Sequence, residues 1–443
     1  LFERIALPGT TGPLTKTLLG WHGWAQRLLA FVTLACFAVF LGVILAKTVF
    51  LGSDAAHHYA HVWYISDQIF HHARLPLHIQ YLESGKALTF PYGIVPYVAT
   101  AMPYAVLGDW SVTLAMVLGV VMYGYAAVRA RPVLRDPRLL ALVFLNTFLI
   151  EAILGFQFTW LWACVFFFLY VEAVDRRRWF LACLFVILAV TTHFVVGIAA
   201  VGLYGIYAFL RRPREVVPLG TALAVAALVC LPYLLYAHTT PSVSSTRVSY
   251  IIGTIKYMAR FRSAIIFLPL IIAALAPLLK RLSIPAILSV AVLFGYRVQH
   301  QHVNLFGLNH DSHPFYGEFI KSPLFDRNLT YRLVEPNDQK DGAYQLIKNG
   351  AVLSQEFFNE SLFRRWWYSL DMYSCYLGAK NVDMVIYESA YTWKFNQNEQ
   401  WPLSEFLVSG KVKLVYTDPQ GRFVVYDVRG ARMPGAKLSE CGF

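Results

Sequence analysis

Long apolar runs that stop at arginine clusters constrain this chain more than anything else in it. Residues 158–174 hold a single charged side chain, Glu172, and stop at Asp175-Arg176-Arg177-Arg178. Residues 194–210 hold none and stop at Arg211-Arg212-Pro213-Arg214. About 20 apolar residues cross the hydrocarbon core of a bilayer as a helix, one of the few structures that satisfy their own backbone there. Composition closes off the alternatives. Only 14% of the 443 residues are charged, against about 25% in a soluble domain. That excludes a cytosolic enzyme, a disordered scaffold and a nucleic-acid binder. The net charge of +12 then asks which loops hold the basic residues. The 26 Tyr and 11 Trp suit interfacial belts.

The runs predict about nine spans: 25–50, 110–128, 139–154, 158–174, 180–192, 194–210, 216–237, 264–279 and 284–298. The first reads as an uncleaved anchor, because it lacks a small-residue cleavage site. Basic turns follow at 129–138, 176–178, 211–214 and 280–281, each after an even number of crossings. With those turns cytoplasmic, the N-terminus lies inside. The segments 51–109 and 238–263 and the tail from 299 then share the exterior face. The run 93–107 is short and carries Pro96 and Pro103, so it reads as an interfacial or re-entrant helix of the first exterior loop. Two regions result: a transmembrane module, 1–298, and an extracytoplasmic tail, 299–443.

The tail predicts a small α/β unit. Short Val-, Ile- and Tyr-rich runs at 351–357, 383–387, 411–416 and 422–428, bounded by turn residues, are strand signals. Segments 361–370 and 402–408 read as helices, and Arg364-Arg365-Trp366-Trp367 either as part of a packed helix or as a cluster facing the acceptor or the bilayer. Of six cysteines, Cys36, Cys164, Cys183 and Cys230 lie in apolar runs and read as small hydrophobes. Cys375 and Cys441 fall in the tail, where an oxidising compartment would pair them.

Chemistry concentrates in the first loop. Six of the 13 histidines fall within residues 57–78, more than chance placement gives. On a helix, Asp54, His57, His58 and His61 share one face. One reading is a solvated juxtamembrane helix with interfacial histidines. The other is a carboxylate general base, with imidazoles that orient it or bind a phosphate or metal. Glu151 is a second acid near the exterior end of an apolar span, where an unpaired carboxylate is costly. Its plain reading is a side chain snorkelling to the interface. His193 reaches the same level and reads as a packing residue or a ligand. The loop 238–263 holds Arg247, Lys256, Arg260 and Arg262 with no acid. With its apolar stripe, it reads as an amphipathic interfacial helix that touches headgroups or the phosphate of a lipid-linked substrate.

The order of these parts resembles the GT-C superfamily of integral-membrane glycosyltransferases. The matching features are a span followed at once by Gly52-Ser53-Asp54, then Leu75-Pro76-Leu77-His78. Phe90-Pro91-Tyr92-Gly93-Ile94-Val95-Pro96-Tyr97 and Leu107-Gly108-Asp109 follow, with Gly155-Phe156-Gln157 and Leu188-Ala189-Val190-Thr191-Thr192-His193 later. The likeness covers about 1–300, with weaker similarity of 381–386 and 421–428 to the tails of such proteins. It implies inverting transfer of a sugar from a polyprenyl-phosphate donor to an acceptor hydroxyl on the extracytoplasmic face of a bacterial inner or plasma membrane. The acceptor would be a protein such as pilin, a polysaccharide or a glycolipid. Asp54 would be the base, Glu151 a second acid, and Arg247, Lys256, Arg260 and Arg262 the phosphate site. His57, His58, Arg74 and His193 are further donor-binding candidates. The His57–His58 pair is not a general feature of the superfamily, which leaves a divalent metal open, with Asp54, His58 and His61 as candidate ligands. A lipid-linked glycan polymerase or ligase would use the same phosphates. A transporter or flippase would instead place charge near the midplane, and a non-catalytic assembly subunit would not need Asp54.

Overall fold

The computed structural model describes residues 55–90, 93–136, 156–239, 314–334, 341–354, 369–388 and 397–441, with isolated positions between 24 and 45 and between 140 and 153. The anchor at 25–50, the span at 139–154 and the segment 361–368 fall largely or wholly outside that set, as do the loop 240–263 and the spans at 264–279 and 284–298.

The first loop begins as helix α1, Ala55–His72. It ends where Ala73 takes a left-handed φ of 49° and Pro76 bars a helical residue before it. A two-stranded ribbon, His78–Ile79 (β1) with Ala87–Leu88 (β2), leads into α2, Ile94–Leu107. Gly93 starts α2 at φ 95°. A Cβ there would come within 2.5 Å of the Thr159 methyl, so both conformation and space require glycine. Pro103 sits within α2. At 14 residues the helix is about 21 Å long, too short to cross the core, as the sequence predicts.

Apolar helices follow: α3 at Trp110–Ala130, α4 at Phe158–Asp175, α5 at Trp179–Thr192, α6 at Phe194–Arg211 and α7 at Val216–Thr239. These bounds lie within two residues of the predicted spans. Among the described residues, three helical segments are long and apolar enough to cross a membrane: α3, α4 and Pro213–Leu235, which takes in most of α7. α5 and α6 form a tight pair. A Cβ on Gly197 would meet the Val190 backbone at 2.6 Å, so glycine sets their approach.

The arginine turns gather at one end of this bundle. Arg129 reaches Glu172 at 2.6 Å, and Arg131 and Arg212 close on Asp175 at 2.6 and 3.1 Å. Arg177 and Arg212 meet Glu215 at 2.7 and 3.6 Å. Three carboxylates thereby bind the end of α3, the α4–α5 turn and the α6–α7 turn into one layer. Asp109 at the start of α3 and His193 at the end of α5 lie at the opposite end.

The tail forms a five-stranded mixed sheet. Its strands are β3 (Thr330–Val334), β4 (Val352–Leu353), β5 (Met384–Glu388), β6 (Lys413–Thr417) and β7 (Phe423–Asp427), in the order β4-β3-β5-β7-β6. β3 runs parallel to β4 and β5, and β7 antiparallel to β5 and β6. Alternate residues serve opposite faces. Tyr331, Leu333, Ile386 and Val425 join the core that continues into the helical bundle, together with α8 (Pro314–Lys321) and α9 (Asp341–Lys348). Val334, Val385 and Tyr387 pack instead with α10 (Leu370–Ala379) and α11 (Gln397–Val408). β3 is a strand the sequence reading does not predict. Cys375 and Cys441 are joined in a disulfide.

The tail is seated on the first loop. The Leu353 amide donates to the Tyr81 carbonyl at 2.8 Å, and Lys380 meets Glu83 at 3.2 Å with both side chains buried. Breaking a buried ion pair on one side costs about 3–5 kcal/mol, whereas replacing both partners by apolar groups is often near neutral. Lys380→Met is therefore expected to lower stability by about that much, and Lys380→Met combined with Glu83→Leu to restore most of it. Thermal unfolding of the full chain in detergent checks this, and two equally destabilised variants would contradict it.

Candidate functional site

The N-terminal half of α1 is sunk into the protein. His57, His58 and His61 are each 1% exposed, which rules out the solvated-helix reading. Spacing of one, three and four residues puts the three rings on one side of the helix, and the side they share is closed by α2 and the start of α4. The tilted rings of His57 and His61 have centroids 3.8 Å apart. His58 lies 6.0 Å from Phe156 and 5.6 Å from Phe158. Phe156, at a φ of 53°, and Phe158 thus build one wall of the cluster.

Tyr97 is the centre of the group. Its hydroxyl lies 2.8 Å from His58 Nδ1 and 3.1 Å from His57 Nε2, and its ring stacks on His61 at 5.3 Å. A phenol has one proton to give. It can donate to one imidazole only, so the other ring must present its N–H to the phenol oxygen. The tautomers of His57 and His58 are thereby coupled. His61 Nδ1 lies 2.8 Å from the His57 carbonyl and Nε2 3.4 Å from the Leu88 carbonyl. Burial pushes this imidazole down to about 4, against the opposing pull of the two carbonyls, so it is neutral at pH 7. A neutral ring donates only once, and the shorter contact, to His57, is the natural donor bond.

Tail residues complete this end of the molecule. Tyr344 of α9 packs against Tyr59 at 5.7 Å and donates to Asp109 Oδ1. Tyr104 donates to the same oxygen at 2.5 Å, and Lys348 to Oδ2 at 3.0 Å. Burial, then the Asp109 charge, push the Tyr344 phenol well above its ordinary value, which keeps it a donor. Two phenols and an ammonium on one carboxylate make Asp109 a clasp rather than a base. Sequence reasoning marks Asp109 only as the close of the loop. It misses Tyr97, Tyr344 and Lys348 as partners, because those contacts cross 39 to 239 positions of chain, and Tyr104 although it stands five residues from Asp109.

The other sequence candidates divide. Asp54, Glu151, Arg247, Lys256, Arg260 and Arg262 lie outside the described residues. Asp54 directly precedes α1. Arg74 is exposed and donates to Gln68 Oε1 at 2.6 Å. It lies beyond the far end of α1, some 17 residues or about 25 Å along the helix from His57, so the structure does not bring it to the histidines. His71 and His72 stand at that far end too, exposed beside Asp67. His193 caps α6, its Nδ1 accepting from the Val196 amide at 3.4 Å. That is a structural role with a local cause. No group of three metal-ligating side chains occurs among the described residues. His58 Nδ1 faces the Tyr97 hydroxyl, and both nitrogens of His61 face backbone carbonyls.

No protein-family model matches the chain, and a search of curated proteins returns no match.

Removing the Tyr97 hydroxyl takes one hydrogen bond from each of two buried imidazoles. Tyr97→Phe is expected to cost about 1–3 kcal/mol and to shift the ring-proton signals of both His57 and His58. Histidine NMR and thermal unfolding in detergent check this. Unchanged His57 signals would show that the phenol does not couple the pair.

Proposed function

We propose that this protein is an inverting glycosyltransferase that moves a sugar from a polyprenyl-phosphate donor to an acceptor hydroxyl on the extracytoplasmic face of a membrane. The observation that carries the reading is the one-ended placement of its polar chemistry. Buried imidazoles, phenols and Asp109 collect at one end of an apolar bundle, under a disulfide-bonded α/β unit. The arginine layer occupies the other end. An amphiphilic donor suits that plan: its polyprenyl tail needs apolar helix faces, and its phosphate needs cations at the interface. Leu114, Leu118 and Val121 on α3 and Leu228 and Val229 on α7 are such outward apolar side chains.

In this reading Asp54, immediately before α1, takes the proton of the acceptor hydroxyl. The oxygen attacks the anomeric carbon as the bond to the phosphate breaks, and the polyprenyl phosphate leaves as an anion. Cations of the 247–262 loop stabilise that departing charge. The His57–Tyr97–His58 group ties the start of α1 to α2 and so braces the helix that Asp54 precedes. Burial under the tail limits access of water to the sugar. The module comprises about nine spans, with the arginine layer in the cytoplasm and the tail outside.

Two measurements test the reading. Asp54→Asn keeps shape and removes the base, so turnover with a polyprenyl-phosphate sugar is expected to fall at least about 100-fold. A folded, donor-binding variant with near-parental turnover would end the assignment. Membrane-impermeant thiol labelling of Arg135→Cys and Lys413→Cys in intact cells tests the orientation. Label is expected at position 413 and none at 135, and the reverse result would place the histidine cluster on the cytoplasmic side.

A further inference from the structure

The arginine layer holds more cation than its carboxylates consume. Glu172, Asp175 and Glu215 are shared among Arg129, Arg131, Arg176, Arg177 and Arg212. Arg178 and Arg214 stand next to two members of that network and have no carboxylate partner among the described residues. The bond between Arg177 and Glu215, 2.7 Å long, ties the α4–α5 turn to the α6–α7 turn. It therefore brings their sequence neighbours, Arg178 and Arg214, to one corner, where both are exposed.

Two further features give that corner its character. Arg178 is the residue that caps α5, whose first amides already present positive potential. Adding a guanidinium there is unfavourable unless an anion joins it. The residues just inside the corner are bare hydrocarbon: Phe180 is 82% exposed, Leu210 81% and Val217 76%. Large apolar side chains left that open on adjacent helix ends belong against acyl chains. The two arginines one step outward then lie at headgroup depth. Apolar surface below and unmatched guanidinium above match a molecule with a fatty tail and a phosphate. Neither a soluble anion nor an acidic protein uses the lower half.

We propose that the Arg178–Arg214 corner binds the phosphate of an anionic phospholipid, with Phe180 and Val217 against its acyl chains. This site lies at the end opposite the histidine cluster and is independent of any glycosyl transfer. The lipid would hold the α4–α5 and α6–α7 turns together beside the Arg177–Glu215 and Arg212–Asp175 bonds.

The test uses the full chain in nanodiscs of equal phosphatidylglycerol and phosphatidylcholine, with native mass spectrometry of the lipid retained on release. The wild type is expected to keep phosphatidylglycerol over phosphatidylcholine. Arg178→Gln with Arg214→Gln should reduce that retention about thirty-fold, the effect of two headgroup-level charges, and the paired Lys substitutions should keep most of it. Equal retention of both lipids by the wild type would overturn the proposal without recourse to any variant. So would full retention by the Gln pair. Displacement of phosphatidylglycerol by inorganic phosphate would reassign the corner to a free anion.

Discussion

The sharing of three carboxylates among five arginines is the interaction on which the rest of the arrangement depends. Glu172, Asp175 and Glu215 sit where apolar helices end, and each accepts from arginines of two different segments. Apolar helices in a lipid solvent gain little from one another's hydrophobicity, since tails are as apolar as leucine. Their register must come from packing, as at Gly197, and from polar ties at the ends. At the opposite end Phe156, Phe158 and Tyr97 meet the α1 histidines.

The far end is built by a different principle. Its helices are roofed by a sheet whose loop-facing residues, Tyr331, Leu333 and Ile386, continue the bundle's core. Tyrosine is the recurrent choice there because it fills apolar volume and still carries a hydroxyl to a buried acceptor. Tyr59 reaches Thr113, Tyr104 and Tyr344 reach Asp109, and Tyr97 reaches two imidazoles. The result is a polar assembly almost sealed from water and held by neutral donors. Among the described residues of this assembly, charge enters at Asp109 with Lys348 and at Glu83 with Lys380.

The helical part of the fold was legible because its signals are local. Run length and arginine punctuation fixed α3 to α7 within two residues, and the short run with its two prolines marked α2. The Cys375–Cys441 pair followed from their place in the polar tail. β3 escaped because Thr330-Tyr331-Arg332-Leu333-Val334 carries an arginine in mid-strand. That arginine is buried only because Glu399 of α11 and the Tyr376 ring receive it. The histidines were legible as a cluster, yet their surroundings were not. Spacing tells which residues share a helix face, and it says nothing of whether that face meets water or Tyr97. Arg74 and His193 each have a short-range partner, Gln68 and the Val196 amide, that spacing alone does not reveal.

The seating of the tail also sets an order of events during synthesis. Tyr344, Lys348 and Lys380 follow the residues they bind, Asp109 and Glu83, by 235, 239 and 297 positions. At 5–20 residues per second, the loop emerges roughly 12 to 60 s before its partners do. For that interval Tyr59 and Tyr104 lack Tyr344, and the Glu83 carboxylate and the Asp109 corner are still without their cations. The histidine end of the molecule is therefore the last part to be finished, and a chain cut short before residue 348 would insert its early helices yet leave that end open.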